Sequence, residues 1–257
     1  MKLWYQSYVD APNAGGYWDA LRVHLDAIKD PETTIDIKGI TPFDSYAHPV
    51  VEWRCAREMM VQAVQAEREG YDAVIVGHFQ DSGLYEVRSM VDIPVIALGE
   101  ASMLFACQLG QHIGLITLNE RFVAGHRHQI KKYGLEHRVT GVHGMEFEPG
   151  QLMDAIGDPE KVNDAKEIFE AQARPLVAGG VDILIPAGGI PMLAFSGIED
   201  HRVGAAPVVN GIPIVVKMAE MAVKLRRLTG LGVSRTSDYV KAPDHVIEEF
   251  LTHPKGL

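Results

Sequence analysis

Short runs of β-branched and aliphatic residues alternate along the chain with longer stretches in which apolar positions recur every three or four residues. The short runs predict strands at Lys2–Tyr8, Thr34–Ile40, Asp72–Val76, Pro94–Leu98, His112–Leu118, Val139–His143, Asp182–Pro186 and Pro207–Val209. Between Val51 and Glu69 the apolar residues Ala56, Met59, Met60, Ala63 and Val64 share one helical face, and Gly70 ends the pattern. A further helix is predicted over Val215–Leu228. Strand-length and helix-length patterns in alternation predict βαβ units with parallel sheets, an α/β protein.

An internal repeat sharpens this reading. The run Gly70-Tyr71-Asp72-Ala73-Val74-Ile75-Val76-Gly77 is echoed by Gly180-Val181-Asp182-Ile183-Leu184-Ile185-Pro186-Ala187, and Pro94-Val95-Ile96 by Pro207-Val208-Val209. Two βαβ halves facing each other are implied. Ligands of open parallel sheets bind beyond the carboxyl ends of the strands, so the loops Gln6–Tyr8, Pro42–His48, Gly77–Asp81, Thr117–Arg121 and Gly188–Met192 are expected to meet in one cleft. The Val215–Leu228 helix is expected to return to the first half. That half would then comprise 1–110 plus 211–257, around a second half at 111–210.

Composition narrows the partners. The 257 residues are 47% hydrophobic and 23% charged, as in a folded soluble enzyme. The net charge is −10, and no dense Lys/Arg run offers a phosphate-neutralising stripe, so nucleic acid and anionic membrane surfaces are poor partners. The first residues read as a strand without a signal-peptide pattern, and charge or turn residues break every apolar stretch; a cytoplasmic protein is expected. The two cysteines, Cys55 and Cys107, provide neither a disulfide scaffold nor a Cys-rich zinc site.

Candidate chemistry concentrates in the post-strand loops. His78 lies just past the carboxyl end of a predicted buried strand, and imidazole titrates near neutral pH, which suits proton abstraction or donation. Gln80 and Asp81 share its loop; Asp81 either orients His78, binds substrate or shapes the turn. Gly188 and Gly189, ahead of Ile190-Pro191, offer backbone N–H groups to a carboxylate or enolate oxygen, a reading compatible with a tight turn of positive φ. Thr117 and Arg121 lie where the next strand feeds its helix, and an arginine there could hold a carboxylate or a surface salt bridge. Gln6, Tyr8, Tyr46 and His48 reach the same cleft by topology. His126 and His128, two apart on a predicted helix, diverge, and sequence does not establish convergence of His48, His78 and a carboxylate, so no metal is expected.

The run from Gly70-Tyr71-Asp72-Ala73 to Asp81-Ser82-Gly83-Leu84, continued by Ile93-Pro94-Val95-Ile96-Ala97-Leu98-Gly99-Glu100-Ala101, resembles the hydantoin racemase branch of the aspartate/glutamate racemase superfamily. So do Pro207-Val208-Val209-Asn210-Gly211 and the tail Leu231-Gly232-Val233-Ser234-Arg235-Thr236-Ser237 with Tyr239. With Thr117 and Arg121, the similarity runs from the first strand to near residue 243. The resemblance implies two pseudosymmetric flavodoxin-like lobes with the active site in the cleft between them. It also implies a cofactor-independent enzyme in which one cysteine from each lobe flanks the substrate's α-carbon. Here His78 occupies the first cysteine's place and Gly188 or Gly189 the second's, while Cys55 and Cys107 fall in predicted helices; the internal repeat independently pairs His78 with Gly188.

The expectation is therefore an isomerase- or lyase-type enzyme without a cofactor, transferring a proton at a carbon alpha to a carbonyl of a small carboxylate or cyclic amide or imide. His78, Gly188 and Gly189 are the expected catalytic residues. Gln6, Tyr8, Tyr46, His48, Gln80, Asp81, Thr117, Arg121 and Pro191 are the expected substrate contacts. Two alternatives stay open: a hydrolase in which His78 activates water and the glycine amides hold the oxyanion, and a non-catalytic ligand-binding protein. The expected partner is a small molecule, and a homo-oligomer is left open.

Overall fold

Two separate parallel sheets carry the chain in the computed structural model, which describes residues 1–10, 16–43, 46 and 48–253. The first is built from β1 (Lys2–Gln6), β2 (Thr34–Lys38), β3 (Ala73–Val76) and β4 (Val95–Ala97) in the order β2-β1-β3-β4. Its helices are α1 (Tyr17–Ile28), α2 (Pro49–Arg68), α3 (Leu84–Arg88) and α4 (Leu98–Leu109). The second sheet has β5 (Ile113–Thr117), β6 (Val139–Gly144) and β7 (Ile183–Ala187) in the order β6-β5-β7, with α5 (Glu120–Lys132), α6 (Pro149–Met153), α7 (Pro159–Ala178) and α8 (Gly189–Ala194). Then follow β8 (Arg202–Val203), β9 (Ala206–Pro207), α9 (Gly211–Thr229), a 3-10 turn (Ser237–Tyr239) and α10 (Asp244–Thr252).

Every residue of β3, β5 and β7 is buried. Helices on both faces of a parallel sheet demand this, and it is why these strands read as continuous apolar runs rather than alternating ones. The repeat extends to backbone conformation: Gly70 (φ 77°) and Gly180 (φ 101°) both end a helix in the left-handed region before the strand that follows. One core cluster joins the sheets, with Leu3, Tyr5 and Ile75 from the first, Leu115, Ile183 and Ile185 from the second, and Ala101, Ile212, Val215 and Val216 from α4 and α9. Along α9, Ile212, Val215, Val216 and Ala219 are fully buried, and the helix packs on β3, β4, α1 and α4 of the first sheet.

Three sequence expectations need correction. The strand predicted at Pro207–Val209 is not a full sheet member: Ala206–Pro207 pairs antiparallel with Arg202–Val203 around Gly204 (φ 62°), and Val208 makes a single parallel bridge to Leu184. Pro207 has no N–H to extend a ladder. The helix predicted from Val51 starts at Pro49, because His48 caps it: its Nδ1 accepts from Val50 N at 3.2 Å, and proline is favoured at the first helical position. The helix predicted from Val215 starts at Gly211, where Asn210 Oδ1 accepts from Ile212 N at 3.0 Å. Of the predicted loop Pro42–His48, Asp44, Ser45 and Ala47 lie outside the described residues.

Candidate active site

The carboxyl ends of β1, β3, β5 and β7 surround a cleft of about 50 Å³. Tyr8, Gly77, His78 and Gln80 come from the loops after the first sheet's strands, Thr117 and Ala187 from the ends of β5 and β7, and Gly188, Gly189 and Ile190 from the entry into α8. Gly77 is the hinge of the first wall. A Cβ there would stand 2.4 Å from the Tyr5 ring, so only glycine lets the chain pass this aromatic and turn His78 out of the strand. At Gly189 a Cβ would meet Gly77 O at 3.0 Å, which measures how closely the two post-strand loops approach each other.

His78 is held on two sides. Its ring lies parallel to that of Tyr8, with centroids 4.1 Å apart and planes 7° apart, and Tyr8 is anchored by its hydroxyl donating to Ser82 O at 3.1 Å. Its Nε2 lies 3.1 Å from Glu52 Oε1, and Ser82 Oγ donates to Glu52 Oε2 at 2.5 Å. Glu52 stands in the first turn of α2, where the helix dipole favours an anion. Both side chains are mostly shielded, at 16% and 20% exposure, so solvent screens the pair only partly. A carboxylate is an acceptor, so Nε2 meets it as N–H; in the neutral form of the ring the lone pair then lies on Nδ1. The result is a histidine–carboxylate dyad at a strand end, an arrangement able to take and return a proton. Glu52 carries no motif; only the turn of α2 toward the Gly77–Asp81 loop brings it there.

The second wall differs from its expectation. Gly188 N–H donates to Pro186 O at 2.8 Å and is therefore not offered to a substrate oxygen. Nor is the residue a left-handed turn, since its φ of 165° is ordinary extended backbone. Gly189 opens α8, where an N–H has no carbonyl one turn back within the helix. Thr117 is fully buried at the end of β5, with its hydroxyl 3.1 Å from Ala187 O and 3.0 Å from His126 Nε2.

Of the expected site residues, Tyr8, His78, Gln80, Thr117, Gly188 and Gly189 line the cleft, and the remainder do not. Gln6 is spent inside the first sheet: it accepts from Trp4 Nε1 at 2.8 Å and donates to Ser7 O and Lys38 O. The Asp81 carboxylate accepts from four donors, Gly99 N, Glu100 N, Gln129 Nε2 and Tyr133 Oη at 2.6–2.9 Å, none of them on His78; Asp81 meets His78 only through its backbone N–H, which donates to His78 O at 3.2 Å. It ties the loop to α4 and α5. Burial pushes its carboxyl up to about 7, against the pull of those donors. Arg121 pairs with Glu148 and covers the exposed Tyr46 ring at 4.7 Å, so both belong to the surface rather than to the cleft lining. His48 is the cap of α2, and Pro191 sits inside α8. Cys55 is buried on α2 and Cys107 half-buried on α4; neither lines the cleft. The described lining contains no lysine or arginine, and its remaining members, Val9, Tyr17, Leu118, Phe122 and Pro149, are apolar or aromatic. Among the described residues no group of three or more His, Cys, Asp or Glu is placed to hold a metal ion, and no helix is long and apolar enough to cross a membrane.

The Asp/Glu/Hydantoin racemase family model matches residues 25–219. The chain belongs to that family. A hydantoin racemase from Pseudomonas sp. (strain NS671) is 27% identical over 165 residues, which is 64% of this chain and 64% of that relative, so the match spans just under two thirds of its length. Among solved structures, the allantoin racemase from Klebsiella pneumoniae superposes with a TM-score of 0.77 at 22% identity, over 95% of this chain and 94% of that one. The allantoin racemase from Pseudomonas fluorescens gives 0.74 at 22% identity, over 100% and 99% of the two chains. The fold is the two-lobe racemase fold, with parallel sheets in each lobe.

Proposed function

We propose that the chain moves a proton at a carbon alpha to a carbonyl, in a small neutral cyclic amide or imide, with His78 as the acid–base group and Glu52 as its orienting carboxylate. The observation that carries this reading is the His78–Glu52 dyad at the strand end where the sequence resemblance implies a thiol. In the forward step His78 Nδ1 takes the α-proton and becomes part of an imidazolium held by Glu52. The C–H electron pair flows into the carbonyl to give an enolate. The imidazolium then returns the proton to carbon or exchanges it with solvent. An N–H on the second wall, that of Gly189, suits the developing oxyanion.

Substrate class follows from charge. A carboxylate or malonate in this cleft would meet no lysine or arginine among the described lining residues, whereas a neutral ring pays no such desolvation cost. The hydrolytic alternative loses one of its two oxyanion donors to the Gly188–Pro186 bond. The deciding experiment is proton NMR of 5-substituted hydantoins, cyclic imides and malonates with the protein in deuterium oxide. Loss of the α-proton signal without a new product is expected for the rings. Ring opening would make the protein a hydrolase, loss of carbon dioxide from malonates a lyase, and inertness toward all three would overturn the reading.

A further inference from the structure

Behind the second wall a chain of buried side chains runs from α5 to the end of β5, and the proton transfer just described leaves it without a role. Gln129 Nε2 donates to Phe79 O and, at 2.9 Å, to Asp81 Oδ2. Both amide hydrogens are thereby used, which turns Oε1 toward His126, whose Nδ1 lies 3.1 Å away. The partners fix the amide's sense: reversed, it would set Oε1 against Phe79 O, which is itself an acceptor. An amide oxygen only accepts, so His126 Nδ1 carries a hydrogen. His126 is fully buried, and burial lowers its pKa to about 4, so at neutral pH the other nitrogen holds a lone pair. That nitrogen, Nε2, is 3.0 Å from Thr117 Oγ1, and the remaining close neighbour of the hydroxyl, Ala187 O at 3.1 Å, is another acceptor. The hydroxyl hydrogen of Thr117 is therefore committed inside the protein.

We propose that His126 is a positioning residue that fixes Thr117 as a hydrogen-bond acceptor, so that the cleft recognises a ring N–H of its substrate and turns away an oxygen anion at that point. The inference rests on the neutral-ring reading of the function and deepens it. An N–H entering beside Thr117 Oγ1 and Ala187 O finds two acceptors, while an anionic oxygen meets two lone-pair-bearing oxygens. Swinging the Thr117 hydrogen toward such an anion would take it from its two buried acceptors, Ala187 O and His126 Nε2, and a buried unsatisfied acceptor is costly.

The test uses 5-methylhydantoin and its N1-methyl and N3-methyl derivatives as probes, with affinities measured by titration calorimetry on wild type, Thr117→Val, Thr117→Ser and His126→Leu. Wild type is expected to lose about tenfold in affinity when one particular ring nitrogen is methylated, the worth of one hydrogen bond. That loss is expected to vanish in Thr117→Val, persist in Thr117→Ser, and shrink in His126→Leu, where Ala187 O alone still holds the hydroxyl hydrogen. Because His126→Leu removes a buried polar group and could fail to fold, nitrogen NMR of histidine-labelled wild type supplies a second readout. It is expected to show His126 protonated at Nδ1 and not at Nε2, with the Nε2 signal moving in Thr117→Val. A full-sized N-methyl penalty in Thr117→Val, while wild type still binds the ring and exchanges its α-proton, overturns the inference and leaves the proposed function standing. A proton on Nε2 rather than Nδ1 overturns it as well. Failure of all three rings to bind wild type overturns the inference together with the proposed function.

Discussion

His78 and Glu52 make a pair whose parts have separable tasks, and the separation can be measured. If His78 moves the proton, His78→Ala loses about 10²–10⁴-fold in kcat with little change in KM, because the lost interaction is made in the transition state. Glu52→Gln keeps the shape of the dyad but removes a charged hydrogen bond worth about 1.5–3 kcal/mol, so a loss of about 10–100-fold is expected. Steady-state exchange rates on the active ring check both; a Glu52→Gln variant with the wild-type rate would detach that carboxylate from the chemistry. The thiols provide the control. Cys55 and Cys107 sit on α2 and α4 away from the cleft lining, so Cys55→Ser and Cys107→Ser are expected to leave kcat unchanged. Rapid inactivation by an alkylating reagent that substrate prevents would contradict this placement.

Among elements, the contact that sets the site is Asp81 joining the His78 loop to the start of α4 and to α5. Its carboxyl is raised to about 7 by burial, from 3.8 in the unfolded chain. Between those values the folded state binds the proton more tightly than the unfolded one, so the Asp81 contribution to stability is greatest in acid and is lost as pH rises toward and through 7. Asp81→Asn cannot ionise and escapes that loss. Its stability relative to wild type is therefore expected to improve by roughly 2 kcal/mol between pH 5 and pH 7, measured by urea unfolding at each pH. His126, lowered to about 4, pulls in the opposite direction, but it is present in both proteins and cancels in their difference. A variant-minus-wild-type difference that stays constant, or moves in favour of wild type as pH rises, would mean that the four donors, rather than burial, govern this carboxyl.

At the scale of the whole molecule, the two sheets share one core through α4 and α9. We propose that 1–110 with 211–257 forms one lobe and 111–210 the other. Because side chains such as Ile212 pack within the shared cluster, the lobes are expected to unfold together. Amide hydrogen exchange checks this: β1 and β3 on one side and β5 and β7 on the other should open with the same free energy. Ile212→Ala, at a fully buried site, should cost about 2–5 kcal/mol and lower both sheets' protection equally. A loss of protection confined to the first sheet would show two independent folding units.

The features legible from the residues alone were periodic or repeated. Buried parallel strands announce themselves as apolar runs, the glycine stops at Gly70 and Gly180 recur in both halves, and a histidine just past a strand has to emerge at its carboxyl end. The family and the placement of His78 were legible for that reason. The tertiary structure decided everything that depends on which side chain meets which across the chain. Glu52, 26 residues before His78, was invisible because a glutamate in the first turn of a helix looks like any other. Asp81 and Gln6 looked like ligands but turned inward, because buried backbone N–H and C=O groups at the strand and helix ends needed them. Gly188 looked like an anion cradle until its own N–H found Pro186 O. Local pattern fixes where a residue lies along an element; only packing fixes the direction in which its hydrogen bonds point, and in this cleft direction is the chemistry.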